Sequence, residues 1–289
     1  MCNNEKNKCK PKGDKIMQLL KEGYTLCFEE DFSGGAEKNK WVALDETVKA
    51  HSAKKDNDFV PTHVITQSAD KHEGSKMHYN PQNVEVKDGA LVITAKKDGD
   101  GFEGGKAVCN GVVFAGGYVE VEVEFPKFQK GVWPIFGLTS TDGNKHKVAY
   151  DIAAIQGDRA KNAFNMYIKW VDEIYEVNNS VNCLYGKPKR FCPDIDSDEV
   201  LSEGVHKFGI ELTEEFIVFY CDGAEWNRID VTPLPYAIFG KKKFLKFTAQ
   251  LSVGLPNIEA PEENIQLPTE FKILNIKVYQ RDGDILIKR

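Results

Sequence analysis

The run of residues 149–154 has the residue types and spacing that bear most directly on chemistry in this chain of 289 residues. In an extended strand, residues two positions apart point to the same face, so positions 149 and 151 would point together. Asp151 is the single carboxylate in the run. It can accept a hydrogen bond, but hydrolysis by two cooperating carboxylates requires a partner that the run lacks.

Seven cysteines offer a second kind of chemistry, and their spacing limits it. The sequence contains no two Cys-x-x-Cys pairs and its six histidines are scattered, which argues against a zinc ribbon. Cys183 and Cys192 close a short loop and are the one pair that we would propose as a disulfide. Free buried thiols in a reducing environment are an equally good interpretation.

Composition and charge exclude several classes of function. The chain is 41% hydrophobic and 28% charged, which is typical of a globular protein large enough to bury a full core. The net charge of −6 argues against a sequence-independent grip on nucleic acid, so we expect no nucleic-acid partner. No apolar stretch in the sequence reaches the length needed to span a bilayer. The oligomeric state is not indicated.

Residues 1–23 are predicted to be a polar tether with a short helix at 15–21, preceding one domain over 24–289. Residues 1–8 are polar and lack the apolar centre of a signal peptide, so no signal peptide is predicted in this chain. One alternative stays open, in which Cys2 is the lipid-bearing first residue of a surface lipoprotein and the polar segment is its tether.

The remainder of the chain is predicted to consist of strands and loops. Residues 117–125 end in strict alternation, with Val119, Val121, Val123 and Phe125 on one face and Glu120, Glu122 and Glu124 on the other. This alternation predicts a strand with one dry and one wet face. Turn signals at 87–89 and 222–223 separate further β-rich runs, which are 90–95, 208–211, 216–221, 244–253 and 271–279. No helical period recurs between them, so we predict a single antiparallel sandwich of two sheets.

A series of ordered motifs gives the chain a family resemblance. The motifs cover residues 24–32, 39–41, 80–84, 88–95, 116–121, 131–136, 149–157, 206–211, 219–223 and 276–280. In this order and spacing they resemble glycoside hydrolase family 16, the laminarinase-like and lichenase-like β-glucanases, over about residues 24–281. The resemblance implies an all-β jelly-roll sandwich with a concave glycan-binding groove, no cofactor, and a location outside the cell or at its surface.

In that family the strand at 149–154 has the pattern Glu-x-Asp-x-x-Glu. The resemblance assigns the nucleophile to position 149, the assisting aspartate to Asp151 and the acid/base to position 154, and this spacing implies a β-bulge next to the site. Retaining glycosidases hold their two carboxyl groups about 5–5.5 Å apart. Ala149 and Ala154 supply neither a nucleophile nor a proton donor, so we expect no retaining glycosidase activity. Tyr150 alternates away from this face and is predicted to pack in the core.

Other positions depart from the family pattern. Gly137 stands where many members carry a second tryptophan, Val112 where a groove arginine is common, and residues 164–170 where a histidine-containing strand is expected. Engineered removal of the two glutamates would not require these changes, so they favour natural divergence. Leu274 stands where the carboxylate of an occasional calcium site is expected, so the resemblance implies no metal site.

With hydrolysis excluded, the resemblance still implies that the chain binds a glycan. Sugar rings expose apolar C–H faces that an aromatic platform can hold, with a few polar groups fixing their orientation. The motif places Trp133 and Phe136 in the groove. Tyr167 and Trp170 on the next strand would extend the platform, or else would pack in the core. Asp151 would accept a hydrogen bond from a sugar hydroxyl.

Three functions from different classes follow. The first is a catalytically inactive protein of this fold that binds a β-linked polysaccharide or oligosaccharide, with β-1,3- or mixed-linkage glucan foremost. The second is an inactive form of an endo-β-glycanase that hydrolyses β-1,3/1,4-glucan with retention. The third is a structural or interaction protein without glycan binding. Neither the linkage of the glycan nor the role of residues 171–203 is indicated by the sequence.

Overall fold

The computed structural model of the chain describes residues 19, 22–44, 77–129, 131–141, 146–154, 167–172, 177–182, 201, 203–232, 243–253 and 265–289. For residues 146–148, 167–172, 177–182 and 226–227 only the backbone is described. The helix predicted at 15–21 lies outside the described residues except for Leu19, and so do both Cys183 and Cys192. Among the described residues, no helix has the length and apolar character to cross a membrane.

The described chain folds as β-strands, which confirms the all-β prediction. In chain order the strands are β1 (Thr25–Glu30), β2 (Trp41–Ala43), β3 (Met77–Tyr79), β4 (Val84–Lys87), β5 (Ala90–Asp98), β6 (Gly101–Cys109), β7 (Val112–Ala115), β8 (Gly117–Glu124), β9 (Val132–Ser140), β10 (His146–Ala154), β11 (Tyr167–Asp172), β12 (Val177–Asn182), β13 (His206–Leu212), β14 (Phe216–Cys221), β15 (Ala224–Asp230), β16 (Leu245–Val253), β17 (Thr269–Gln280) and β18 (Ile285–Lys288).

Two large antiparallel sheets contain most of the strands. The first sheet has the order β15–β14–β13–β8–β17; the two ends of β17 pair with β1 and β5, and β4 lies beyond β5. The second sheet has the order β12–β11–β10–β9–β16–β6–β2. Strand β7 joins the end of β16 and also pairs with β18. Strand β5 also pairs with β6, and β3 adds to β6 in parallel.

The main hydrophobic core lies between the two sheets. Val119 and Val121 of β8 are fully buried in it, so the dry face predicted for this strand is confirmed. Phe28 of the first sheet stacks on Phe247 of the second with ring centroids 6.0 Å apart. Phe247 in turn stacks on Phe136 of the neighbouring strand at 6.0 Å. Burial of these apolar side chains is the main force that holds the sheets face to face.

The opposite face of β8 is less wet than predicted. Glu120 is only 4% exposed, because Tyr118 belongs to a second hydrophobic cluster on this side of the first sheet. The Tyr118 hydroxyl donates to Glu120 Oε2 at 3.2 Å. Burial raises the pKa of the Glu120 carboxyl. Glu122 and Glu124 remain partly exposed, as the alternation predicted.

The two predicted turn signals form tight hairpins. Asp88 and Gly89, between β4 and β5, have φ values of 53° and 72°. Asp222 and Gly223, between β14 and β15, have φ values of 47° and 78°. Positive φ at both central residues is the requirement of the hairpin turn that matches strand twist, and the Asp-Gly sequence meets it at low cost. These turns fix the registers of both hairpins.

Glu30 joins the end of β1 to the start of β2. It is fully buried. Its Oε1 accepts a hydrogen bond from the backbone N–H of Phe32 at 3.0 Å, and its Oε2 accepts from Asn39 Nδ2 at 2.6 Å and from Trp41 Nε1 at 3.2 Å. A carboxylate is well suited here because it accepts all three bonds. This network explains why the motifs at 24–32 and 39–41 occur together.

Replacement of Glu30 by glutamine is expected to lower the free energy of unfolding by about 1–3 kcal/mol. The glutamine amide has an NH₂ donor in place of one acceptor oxygen, so a buried N–H would be left without an acceptor. Chemical denaturation of the purified variant measures the loss. Glu29→Gln is the matched control, since Glu29 is largely exposed and its ion pair with Lys277 should contribute less than about 1 kcal/mol. Equal losses in the two variants would contradict the structural role of Glu30.

Candidate functional site

Strand β10 contains the bulge that the family resemblance implied. Its pairing with β9 shifts register between Asp151 and Ala153. Three pairs flank the shift: Ala149 with Thr139, Asp151 with Gly137, and Ala154 with Ile135. The three partners on β9 are two residues apart and therefore lie on one face of that strand. The bulge thus brings positions 149, 151 and 154 onto a single face of the second sheet.

This face points away from the core, and we call it the outer face. Residues at the intervening positions, such as Phe136 and Phe247, belong to the core. The strand registers assign the outer face Trp133, Ile135, Gly137 and Thr139 of β9, Ala149, Asp151 and Ala154 of β10, Lys246, Thr248, Gln250 and Ser252 of β16, and Lys106 and Val108 of β6.

A row of polar side chains on β16 runs along the middle of the outer face. Lys246, Thr248, Gln250 and Ser252 are each at most 9% exposed, although they point away from the core. Lys246 Nζ donates to Asn110 Oδ1 at 3.2 Å, and the hydroxyls of Ser252 and Tyr79 are 2.7 Å apart. Such a shielded polar surface can fix the orientation of a ligand. This row was not among the predicted site residues, although the strict alternation of polar and apolar residues in β16 is a signal for it.

Asp151 and Gly137 fit together across the strand pair. A Cβ atom on Gly137 would lie 2.5 Å from the backbone oxygen of Tyr150 and 3.4 Å from Asp151 Oδ1. Position 137 therefore has no room for the tryptophan that the family pattern places there. Its glycine instead allows the Asp151 carboxylate to lie over the strand, half-exposed on the outer face. Asp151 is thus placed where the sequence analysis expected it.

Trp133 and Thr139 of β9 have buried donors that lack an acceptor among the described residues. Trp133 is half-buried and packs partly against the core, and its Nε1 is buried without an acceptor among the described residues. The Thr139 hydroxyl, beside Ala149, is also buried with no partner in the described part of the chain. Buried polar groups are rarely left without a hydrogen bond. Both donors therefore lie inside the outer face rather than at its surface, without an acceptor in the described part of the chain.

The placement of Phe136 in the groove was wrong. Phe136 is fully buried in the main core, where it stacks on Phe247. Because Trp133 and Phe136 are three residues apart on a strand, they point to opposite faces. Tyr150 packs in the same core, as predicted, and burial raises the pKa of its hydroxyl.

Strand β11 separates the two other aromatic candidates by register. Tyr167 pairs with Asp151, whereas Trp170 pairs with Val148. Tyr167 therefore holds a register position of the outer face, and Trp170 holds the alternate one that Tyr150 shares. Their roles in binding stay predictions, because only the backbone of this strand is described.

Val112 also lies elsewhere than the family pattern suggested. It is fully buried in the main core, so it does not replace an arginine on the outer face. The polar residue of that motif that reaches the outer face is Asn110, through its bond with Lys246. Val112 therefore no longer counts among the three departures from the family pattern that favoured natural divergence.

Comparison with solved structures identifies proteins of the same fold. The catalytic domain of the endo-1,3-β-glucanase (laminarinase) from Thermotoga petrophila RKU-1 matches 90% of this chain and 99% of its own at a TM-score of 0.63 and 20% identity. Laminarinase from Flavobacterium sp. UMI-01 matches 89% and 100% at a TM-score of 0.63 and 21% identity. SCLam, a non-specific endo-β-1,3(4)-glucanase from family GH16, matches 90% and 92% at a TM-score of 0.60 and 16% identity.

The chain therefore has the fold of these β-glucanases across nearly its whole length, and the predicted jelly-roll sandwich is confirmed. No protein-family model and no curated protein sequence matches the chain. At these identities the likeness defines the fold, while function depends on the residues of the outer face.

Proposed function

We propose that this chain is a glycan-binding protein that does not hydrolyse its ligand, and that the outer face is its binding surface. The observation that carries the proposal is the row formed by Ala149, Asp151 and Ala154, which the bulge aligns on one face. These are the positions to which the family resemblance assigns the nucleophile, the assisting aspartate and the acid/base, and alanine stands at the first and the last of them.

Hydrolysis with retention requires a nucleophile and a proton donor on this row. A methyl group attacks no anomeric carbon and transfers no proton, and general acid–base help alone is typically worth about 10²–10⁴-fold in rate. Asp151 could serve only one of the two roles. We therefore expect the chain to leave a bound glycan intact.

Binding needs a different set of groups, and the outer face supplies it. Trp133 offers an apolar ring surface with a buried N–H that lacks an acceptor in the described chain. Asp151 offers acceptor oxygens to a sugar hydroxyl from a half-buried position, and Thr139 and Gln250 are buried polar groups of the same face. Aromatic surface combined with a few oriented polar groups is the usual composition of a small-molecule site.

β-1,3- or mixed-linkage glucan is the proposed ligand, since the solved structures of similar fold are described as endo-β-1,3- and endo-β-1,3(4)-glucanases. Such polymers would be met outside the cell or at its surface, which we propose as the location. A second candidate is an inactive form of an endo-β-glycanase. The retained bulge and alignment of β10 favour it, because they are what restored glutamates would need.

Calorimetric titration of the chain with β-1,3- and mixed-linkage glucan oligosaccharides tests the proposal. We expect saturable binding of at least one of them, no binding of an α-linked glucan of equal length, and no new reducing ends after prolonged incubation. Failure to bind any β-glucan, galactan or sulfated glycan at millimolar concentration would overturn the proposal and favour a structural role.

A further inference from the structure

We propose that His78, Asp98 and Glu103 form a binding site for one divalent transition-metal ion of the zinc class, separate from the outer face. Each residue offers one ligand atom, and the three atoms lie within 4.8 Å of one another. No metal site was predicted from the sequence, on the grounds of cysteine and histidine spacing and of Leu274. Neither pattern covers this cluster, which arises only when three strands meet.

The spacing of the ligand atoms suits a tetrahedral ion. His78 Nε2 is 3.7 Å from Asp98 Oδ2 and 3.5 Å from Glu103 Oε2. These separations exceed the usual hydrogen-bond length of about 2.7–3.2 Å. Two ligands bound to zinc at about 2.0–2.2 Å lie about 3.3–3.6 Å from each other. Asp98 and Glu103 offer oxygens within 4.8 Å of each other and of the imidazole nitrogen, so one cation could contact all three ligand atoms.

The backbone brings the ligands together from three strands. Asp98 ends β5 and Glu103 lies on β6, across a tight hairpin in which Asp98 pairs with Gly101. His78 is the middle residue of β3 and pairs with Glu103 in the parallel register. A strand of three residues has few ladder bonds of its own, so a metal would fasten β3 to the hairpin.

Glu103 is held in place by two donors that leave it capable of binding an ion. Asn80 Nδ2 donates to its Oε2 at 2.6 Å, and Lys96 Nζ lies 2.8 Å from its Oε1. Burial alone would raise the pKa of this carboxyl, but the bonds from Lys96 and Asn80 prevail and lower it. Metal-binding carboxylates commonly receive such orienting hydrogen bonds, and Oε2 keeps a lone pair for the ion.

The choice of ion follows from the donor atoms. One imidazole nitrogen and two carboxylate oxygens suit zinc or cobalt better than calcium, which takes six to eight oxygens. The Asp98 side chain is 59% exposed and that of His78 is 36% exposed, so an ion can enter and water can complete its coordination. Binding would also steady Tyr79, which follows His78 and contacts Ser252 of the outer face.

Calorimetric titration of the metal-stripped full-length chain with zinc chloride tests the site, with cobalt absorption as a check on tetrahedral geometry. His78→Ala and Asp98→Asn are expected to weaken binding at least about tenfold. The thermal midpoint should rise with zinc in the unaltered chain and not in these variants.

Asp100→Asn is the matched control, because it makes the same change in charge within the same hairpin turn, two residues from Asp98. It should bind zinc as the unaltered chain does. Zinc held by cysteines elsewhere would be insensitive to all of these substitutions. Equal affinity in Asp98→Asn and Asp100→Asn, or no binding by the unaltered chain, would overturn the proposal.

Discussion

Trp133→Ala is expected to weaken β-glucan binding by about 10–100-fold while the protein stays folded. The indole is half-buried on the outer face, and its buried Nε1–H has no acceptor among the described residues. Burial of an aromatic side chain is worth about 1.5–3 kcal/mol, and each 1.4 kcal/mol changes affinity about tenfold. Titration of the variant with the best glucan oligosaccharide measures the loss, and circular dichroism checks the fold.

Phe216→Ala is the control for this prediction. Phe216 lies at the start of β14 in the first sheet, where the Arg228 guanidinium sits 5.3 Å from the ring centroid. Its removal should leave glucan affinity unchanged, and Trp133→Phe should retain most of the binding. Equal affinity in Trp133→Ala and Phe216→Ala would show that the ligand does not contact β9.

The Ala149→Glu/Ala154→Glu double variant is expected to remain without hydrolytic activity. Positions 149 and 154 differ in the groups that would surround a carboxylate. At 149 it would lie beside the Thr139 hydroxyl, in the same cross-strand row as Lys246. Ala154 is 1% exposed and pairs with Ile135, so a carboxylate there would lose almost all contact with water. We therefore expect Ala149→Glu to be tolerated and Ala154→Glu to lower the free energy of unfolding by about 3–5 kcal/mol.

The pH dependence of that loss separates charge from size. A buried glutamate has a raised pKa, so the destabilisation is present at neutral pH and fades as the pH falls toward about 4, where the unfolded chain is also protonated. Ala154→Gln, the neutral control, should show no such dependence. If the double variant were as stable as the original chain and released reducing ends from laminarin, the second candidate function would be favoured.

Much of the fold could be predicted from local patterns. The alternation in β8 and the Asp-Gly turns determine face and register over short distances, and both predictions are confirmed. The bulge in β10 was implied by the family resemblance, because the three motif positions 149, 151 and 154 share a face only if one residue is inserted.

The side-chain placement on the outer face was harder to predict. A motif shows which strand a residue belongs to but not which face of the sheet its side chain points to. Phe136 was therefore assigned to the wrong face. Whether the polar half of β16 meets bulk water depends on contacts far away in sequence, so the burial of Gln250 could not be inferred locally. The cluster around His78 joins residues from separate strands, and no spacing in the sequence indicates it.

The indole N–H signal of Trp133 gives the most direct test of binding without hydrolysis. The chain has four tryptophans, so its ¹⁵N spectrum should show a small set of indole signals that single substitutions can assign. During titration with a β-1,3-glucan oligosaccharide, we predict a saturable shift of the Trp133 signal while the reducing-end proton signals of the sugar stay constant. A Trp133 signal that does not move, or reducing-end signals that grow with time, would contradict the account.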